Sequence, residues 1–181
     1  EACSKARAIL LGAVGDPKYD TAQPSERPEA AMLKIRRELG LYANLRPARV
    51  WPGLESAGPL KPEVLAGTDL LLFRELTGGL YYGEPRGYSA DNDSAHNTMR
   101  YSRGEIERIA RRAFEAARLR RKRVTSVDKA NVLEASRLWR AVVIEVAKGF
   151  PDVELEHRYV DAMCFEMLKT PHRFDVIVTD N

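Results

Sequence analysis

The fold class is decided by residues 102–127, which read SRGEIERIARRAFEAARLRRKRVTSV. Ser102 and Glu105 have the spacing of a capping box, in which each side chain bonds the backbone N–H of the other residue, so a helix is predicted to begin there. Apolar residues then recur every three or four positions, which predicts an amphipathic helix running to about Arg121. The next four residues, 124–127, include two valines and a threonine and predict a strand.

The same alternation of helix and strand continues on both sides of this stretch. We predict buried strands at 8–11 and 70–73, further strands at 153–159 and 174–178, helices at 28–40, 133–147 and 162–168, an extended proline-interrupted segment at 45–52, and a loop with one short helix at 59–68. Such alternation indicates an α/β protein with an open sheet and flanking helices. The glycine-rich residues 78–87 are predicted to form a projecting β arm.

Composition limits the function classes. The chain has 181 residues with 29 basic and 26 acidic side chains, so its net charge of +3 gives no strong case for nucleic-acid binding. Residues 118–123 are basic but end a helix, which favours a solvated face at the negative pole of the helix dipole. Cys3 and Cys164 form no CxxC pair, which suggests a reducing compartment, and no apolar run is long enough for a membrane span. We expect a cytoplasmic protein, with Trp51 and Trp139 in its core.

Three arginines are candidate ligand-binding residues: Arg36 on a helix, Arg46 in an extended segment, and Arg74 directly after a buried strand. Ligands of open α/β sheets bind at such strand ends. A guanidinium group matches the planar geometry of a carboxylate, so converging arginines would suit a di- or tricarboxylic acid. Each arginine alone is equally consistent with an ordinary surface position.

Two further strand ends carry reactive groups. Lys129 follows the strand at 124–127, and desolvation beside cations can lower a lysine pKa enough for general-base work. The alternative is an ordinary lysine at a strand end. Asp161 follows the next predicted strand and offers the hard oxygen ligand that Mg²⁺ or Mn²⁺ prefers, although one aspartate does not make a metal site.

Five motifs in order along the chain resemble one family. They are Arg-Pro-Glu at 27–29, Ala-Asn-Leu-Arg-Pro at 43–47, Arg-Glu-Leu-Thr-Gly-Gly at 74–79 with Tyr81 and Gly83, Asp-Lys-Ala-Asn at 128–131, and Tyr-Val-Asp at 159–161. Together they resemble the β-decarboxylating dehydrogenases of the isocitrate/isopropylmalate dehydrogenase family. The chain departs from the family pattern at Asp16, where glycine is common, and at residues 90–96, which are slightly long for the arm.

The resemblance implies a role for each candidate residue. Tyr81 would be the acid that protonates the enol, and Lys129 the base at the substrate's 2-hydroxyl. The implied substrate-binding residues are Met32, Leu33, Arg36, Arg46, Arg74, Asn131 and Asp161. Asp161 would also be one carboxylate around Mg²⁺ or Mn²⁺. The implied NAD-side residues are Asp16, Pro17, Lys18 and Glu29.

The activity implied by the resemblance is NAD-dependent oxidative decarboxylation of (2R,3S)-3-isopropylmalate to 4-methyl-2-oxopentanoate (2-oxoisocaproate) in leucine biosynthesis. Apolar Met32 and Leu33 favour this substrate, because an apolar wall accepts an isopropyl group and rejects a hydroxyl or a charge. The alternatives within the family are isocitrate, homoisocitrate and tartrate. The alternative outside catalysis is a dimerisation or carboxylate-binding module.

The resemblance also implies a domain organisation. Residues 1–42 would be part of a cofactor-side domain, and residues 43–181 would form most of a second domain with the substrate site and the dimer interface. The active sites would be shared in a homodimer, with Lys129, Asn131 and Asp161 reaching the partner's site. A full member of the family begins upstream of Glu1 and carries two more metal aspartates after Asn181. We therefore expect this stretch to cover about half of a member and to be inactive alone.

Overall fold

The computed structural model describes residues 2–23 and 26–181, without the side chains of Ala2 and Glu29. The chain divides into two compact units, Glu1–Leu41 and Tyr42–Asn181. The sequence analysis predicted a boundary between residues 42 and 43. The assignment of these units to a cofactor side and a substrate side stays a prediction.

The smaller unit contains helix α1 (Ala2–Lys5), a 3₁₀ turn at Pro17–Tyr19 and helix α2 (Pro28–Glu38). Helix α2 begins at a proline, whose missing N–H is not needed there, and Gly40 follows its end with a φ of +61°. The buried strand predicted at 8–11 is wrong, because this segment has no regular structure and its side chains are exposed. A strand needs neighbouring backbone to pair with, and the described residues of this unit include no other strand.

The larger unit contains seven strands and four helices. The strands are β1 (Ala43–Arg49), β2 (Asp69–Glu75), β3 (Gly87–Tyr88), β4 (Ala95–His96), β5 (Arg123–Asp128), β6 (Glu154–Tyr159) and β7 (Val176–Thr179). The helices are α3 (Pro62–Leu65), α4 (Arg103–Arg118), α5 (Glu134–Ala147) and α6 (Val160–Lys169). The predicted elements of this unit are present, and the bounds of its long helices and sheet strands lie within about three residues of those predicted. No helix among the described residues is long and apolar enough to cross a bilayer.

Five of the strands form one sheet in the order β1-β2-β7-β5-β6. Strand β1 is antiparallel to β2, and the other neighbouring pairs are parallel. Pro47 lies within β1, which is an edge strand and therefore tolerates a residue without an N–H. This mixed sheet with helices on both faces confirms the predicted α/β class.

Two apolar clusters lie on opposite faces of the sheet. Helices α4 and α5 cover one face, where Phe114 and Trp139 are fully buried. Helix α6 covers the other face, where Met163 packs with Val127 and Ile177. The capping box at the start of α4 is formed as predicted, with both reciprocal bonds present.

Trp139 is buried as predicted, but the prediction that Trp51 is also a core residue is wrong. Its side chain is 59% exposed, with the Arg49 guanidinium stacked 5.0 Å from its ring centroid. Trp51 lies directly after edge strand β1, outside the sheet. Its apolar context in the sequence therefore did not indicate burial.

The basic residues 118–123 are mostly exposed, as the sequence predicted, but several of them are also paired with acids. Arg118 binds Asp152, with Nη2 2.6 Å from Oδ1. Arg120 donates from Nε to the fully buried Asp175 at 2.8 Å. These acids follow the basic run by about 30 and 55 residues, so the fold fixes the end of α4 to the sheet through ion pairs that local spacing does not reveal.

The predicted β arm is present but lies further along the chain. Residues 79–81 form a 3₁₀ turn, and the ribbon is made by β3 and β4, which pair Gly87 with His96 and Tyr88 with Ala95. The glycine-rich run is therefore mainly a turn that leads into the arm.

Candidate active site

The candidate site lies at the carboxyl edge of the parallel strands. Strand β7 lies between β2 and β5, and its Thr179 is level with Arg74 on one side and Val127 on the other. Arg74 and Val127 are therefore about 10 Å apart across the sheet. Lys129 and Asp161 follow β5 and β6 at the same edge. Ligands of open α/β sheets bind at this edge.

Arg74 and Tyr81 are brought together. The Arg74 guanidinium lies over the Tyr81 ring, 5.3 Å from its centroid, and Nη2 donates to Oδ1 of Asn181 at 2.9 Å. The Tyr81 side chain is about half exposed, at the end of the 3₁₀ turn Gly79–Tyr81. Sequence reasoning did not single out Asn181, although it is a polar residue just after a strand, like Lys129 and Asp161.

The turn after β2 is shaped by a second residue that the sequence analysis missed. Glu75 is fully buried, and its carboxylate accepts hydrogen bonds from the Thr77 N–H at 2.8 Å, the Thr77 hydroxyl at 2.6 Å and the Gly78 N–H at 2.7 Å. Arg108 from α4 lies 3.5 Å from the same carboxylate. An internal anion thus fixes the backbone that connects Arg74 to Tyr81.

Arg46 shares a sheet face with Arg74. In the register of β1 and β2, Asn44 lies opposite Arg74 and Arg46 lies opposite Leu72. Opposite residues point to the same face and alternate along each strand, so Arg46 is the diagonal neighbour of Arg74, at about 7–8 Å. The Arg46 Nε donates to Oδ1 of Asn44 at 2.6 Å. Two of the three predicted arginines therefore present their charge on one face.

Lys129 and Asp161 form an ion pair, with Nζ donating to Oδ1 at 2.6 Å. The hydrogen bond from Lys129 lowers the pKa of the Asp161 carboxyl. The bonded neighbour of Lys129 is thus a carboxylate, and its role as a general base stays a prediction. Asn131 is exposed in the turn that follows Lys129.

The base of the Lys129 turn is fixed by Asp128, whose side chain is fully buried. Its carboxylate accepts from the Ala130 N–H and from both Nε and Nη2 of Arg140, each at 2.9 Å. This bidentate pairing ties the end of β5 to helix α5. Lys129 therefore leaves the sheet from a rigid support.

A further acid, Asp180, lies near the same edge. Burial raises the pKa of Asp180, which follows β7, to about 6, and the negative charges of Asp128 and Glu75 add to the effect. The sequence offered no signal for this residue beyond its position after a strand.

The smaller unit carries the remaining predicted residues. Met32, Leu33 and Arg36 are half-buried, and their spacing puts them on one stripe of α2. Asp16 caps the 3₁₀ turn, with Oδ1 accepting from the Lys18 N–H at 3.0 Å, and Pro17 is the first residue of that turn. The side chain of Glu29 lies outside the described residues.

The chemistry of the donor set allows a partial test for a divalent metal. Among the described residues, no group of three or more His, Cys, Asp or Glu side chains is arranged to hold a metal ion. Asp161 offers one exposed carboxylate that its lowered pKa keeps anionic, which suits Mg²⁺ or Mn²⁺. The described residues can therefore supply one of the ligands of such a metal site.

Comparison with known proteins identifies the family of the chain that carries this site. The family model described as isocitrate/isopropylmalate dehydrogenase matches residues 1–181. The chain is 56% identical to a protein named 3-isopropylmalate dehydrogenase from Aquifex aeolicus (strain VF5), over 99% of this chain and 50% of that protein. It is 58% identical to the protein of the same name from Xanthomonas euvesicatoria pv. vesicatoria (strain 85-10), over 100% of this chain and 52% of that protein. The chain spans about half the length of the curated relatives it matches.

Two solved structures have the same fold as this chain. An isocitrate dehydrogenase from Methylococcus capsulatus is 36% identical and superimposes with a TM-score of 0.73, covering 95% of this chain and 47% of that one. The TT0538 protein from Thermus thermophilus is 31% identical with a TM-score of 0.75, covering 88% of this chain and 31% of that one. The sheet and its helices are thus those of a known enzyme fold. The chain belongs to the isocitrate/isopropylmalate dehydrogenase family.

Proposed function

We propose that this chain carries the substrate-binding and proton-transfer residues of an NAD-dependent dehydrogenase that oxidatively decarboxylates (2R,3S)-3-isopropylmalate to 4-methyl-2-oxopentanoate, a step of leucine biosynthesis. The observation that carries the proposal is the position of Arg74, Tyr81 and the Lys129–Asp161 pair at one edge of the sheet. The names of the relatives support the choice of substrate.

The arginines bind the carboxylates of the substrate. Arg74 and Arg46 offer two guanidinium groups on one face of the sheet, and each matches the planar geometry of a carboxylate. Arg36 is proposed as the third carboxylate-binding residue. Met32 and Leu33 are proposed to contact the isopropyl group, because both are apolar and lie on the α2 stripe of Arg36.

The proton transfers belong to Lys129 and Tyr81. Lys129 of one subunit, with Asn131 beside it, accepts the proton of the 2-hydroxyl of a substrate bound by Arg74 of the other subunit, while a hydride leaves C2. The resulting β-keto acid loses CO₂ from the carboxyl group on C3. Tyr81 then donates its phenolic proton to C3 of the enol. Asp161 would hold a divalent cation, and the Asp16–Lys18 turn and Glu29 would lie beside the dinucleotide. When bound, NAD⁺ supplies the hydride acceptor and the cation supplies Lewis-acid polarisation of the substrate oxygens.

The test is a spectrophotometric assay of NADH formation by the full-length protein with Mn²⁺. The four substrates compared are 3-isopropylmalate, isocitrate, homoisocitrate and tartrate. We expect the highest kcat/KM with 3-isopropylmalate. Faster turnover of any other acid would contradict the substrate assignment, and turnover of none would contradict the activity.

Variants test the roles of single residues. Lys129→Ala should lower kcat far more than it raises KM, because a general base acts chiefly in the transition state. Arg74→Ala should weaken substrate binding by about 1.5 to 3 kcal/mol, the scale of hydrogen bonds to charged groups. The exposed Arg111 on α4 lies outside the site, so Arg111→Ala is the matched control.

We also propose that the protein is a cytoplasmic homodimer with shared active sites. The exposed Phe165 and Leu168 of α6 support an association surface, since they lie on the helix that begins beside Asp161. The free Cys3 and Cys164 suit a reducing compartment. Sedimentation equilibrium of the full-length protein tests the dimer, and a monomer mass at micromolar concentration would contradict it.

A further inference from the structure

We propose that Tyr101 is a positioning residue for the substrate site. It holds the Gly78–Gly79 turn and the end of β7 in the arrangement that orients Arg74. The inference rests on the proposed function, because Arg74 is there assigned to bind the substrate carboxylate. Nothing in the five sequence motifs pointed to Tyr101.

The Tyr101 side chain is in contact with both glycines of the turn. A Cβ added at Gly78 would lie 2.6 Å from Cε1 of the ring, and one added at Gly79 would lie 2.7 Å from the hydroxyl oxygen. Real Cβ atoms do not approach other atoms so closely, so the backbone of the turn packs directly on the tyrosine. Gly79 also begins the 3₁₀ turn that carries Tyr81. The ring therefore supports the segment between Arg74 and Tyr81.

The Tyr101 hydroxyl also connects the turn to Asn181, which follows β7. Its oxygen accepts from the backbone N–H of Asn181 at 2.7 Å. The Asn181 side chain then makes two bonds, accepting from Nη2 of Arg74 at 2.9 Å and donating from Nδ2 to the Gly78 carbonyl at 3.0 Å. The hydroxyl is thus connected to the Arg74 guanidinium through one residue.

Tyr101 is itself held in place by the core. The side chain is 7% exposed, and its ring meets that of the fully buried Trp139 edge-on at 5.5 Å. The Trp139 Nε1 donates in turn to the Ser126 hydroxyl on β5 at 3.2 Å. Burial also raises the pKa of the Tyr101 phenol, which keeps it a neutral hydroxyl. Tyr101 is therefore fixed to the centre of the sheet and can transmit that rigidity to the turn.

The test is Tyr101→Phe in the full-length protein, with steady-state kinetics and a thermal unfolding scan. The variant keeps the ring and removes the hydroxyl, which accepts from the Asn181 N–H and packs against Gly79. We expect KM for 3-isopropylmalate to rise about three- to tenfold, the scale of one hydrogen bond, with a loss of a few degrees in Tm. Tyr42→Phe is the matched control, because its hydroxyl contacts the exposed Arg112, at 3.4 Å, rather than the turn. An unchanged KM with a lowered Tm would overturn the proposal.

A double-variant cycle tests whether Tyr101 acts through Asn181. Asn181→Ala keeps the backbone N–H but removes the bridge between Arg74 and Gly78, so adding Tyr101→Phe should change KM little further. Independent, multiplicative effects of the two substitutions would overturn the proposal. If Tyr101→Phe fails to fold, Asn181→Ala alone carries the test. An unchanged KM in Asn181→Ala would then overturn the proposal.

The two proposals fail in different ways. Wild-type turnover of 3-isopropylmalate tests the proposed function, whereas the ratio of variant to wild type tests Tyr101. The ratio is measured with whichever of the four acids the wild type oxidises. If it oxidises none, calorimetric binding of 3-isopropylmalate replaces KM, and equal affinities for wild type and Tyr101→Phe would overturn the positioning role.

Discussion

Replacing Arg140 with alanine should destabilise the larger unit strongly. Asp128 is fully buried and receives two of its three observed hydrogen bonds from Arg140. Without the guanidinium, the carboxylate would retain only the bond from the Ala130 N–H. Removing one partner of a buried ion pair costs about 3–5 kcal/mol, because an uncompensated charge remains in the interior.

The structure favours the lower end of that range. The Arg140 side chain is 27% exposed, so water can reach Asp128 through the space that the variant opens. We therefore expect a loss of about 3 kcal/mol in unfolding free energy. For a unit of this size that corresponds to a fall of roughly 6–12 °C in Tm. The Lys129 turn should loosen as well, since Asp128 fixes its base.

The assay is urea unfolding followed by circular dichroism, with Arg111→Ala as the control. Arg111 lies on helix α4 and pairs with Glu107 on the surface, where such pairs contribute about 0–1 kcal/mol. The reasoning would be refuted if Arg140→Ala unfolded within about 1 kcal/mol of wild type. It would also fail if the two variants lost equal stability.

Three further predictions concern stability. The pKa of Asp180 in the folded protein is about 6, above the ordinary 3.8, so its ionisation lowers the free energy of unfolding as pH rises through about 6. Asp180→Asn should remove this pH-dependent loss of stability. Urea titrations should therefore show the variant gaining about 2 to 3 kcal/mol relative to wild type between pH 3 and pH 8. Phe114→Ala should lower unfolding free energy by about 3–5 kcal/mol, since the ring is fully buried and stacks on Phe150 at 5.2 Å. Ser102→Ala should cost about 1 kcal/mol by breaking the capping box with Glu105, while Ser102→Thr should retain most of it.

The fold could be predicted where the signal is local. Helix α4 is an example, because a capping box begins it and its apolar residues repeat at helical spacing, so neither feature depends on distant parts of the chain. The failures depend on distant partners. Residues 8–11 have a strand-like sequence but no strand beside them in the described part of their unit, and Trp51 follows the edge strand with most of its side chain exposed.

The residues of the candidate site likewise include some that local sequence could predict and others that depend on distant partners. The position of Arg74 and Lys129 after strands could be inferred from the sequence, and the proposed roles of individual residues came from resemblance to a family. Asn181 and Tyr101 could not be found by such reasoning, because they meet only when β7 takes its place between β2 and β5. Spacing along the chain contains no information on a hydrogen bond between residues 80 positions apart.

Pro47 in edge strand β1 has a consequence for how the sheet is protected from aggregation. A strand at the edge of a sheet can serve as a template for a strand from another molecule, but a proline interrupts the row of N–H donors that such pairing requires. Arg46 and Arg49 in the same strand add like charges that repel a second copy in register. At the opposite edge, β6 carries Glu154, Glu156 and Arg158. Both margins of the sheet thus resist uncontrolled growth by strand addition, which leaves side-chain surfaces as the route to ordered assembly.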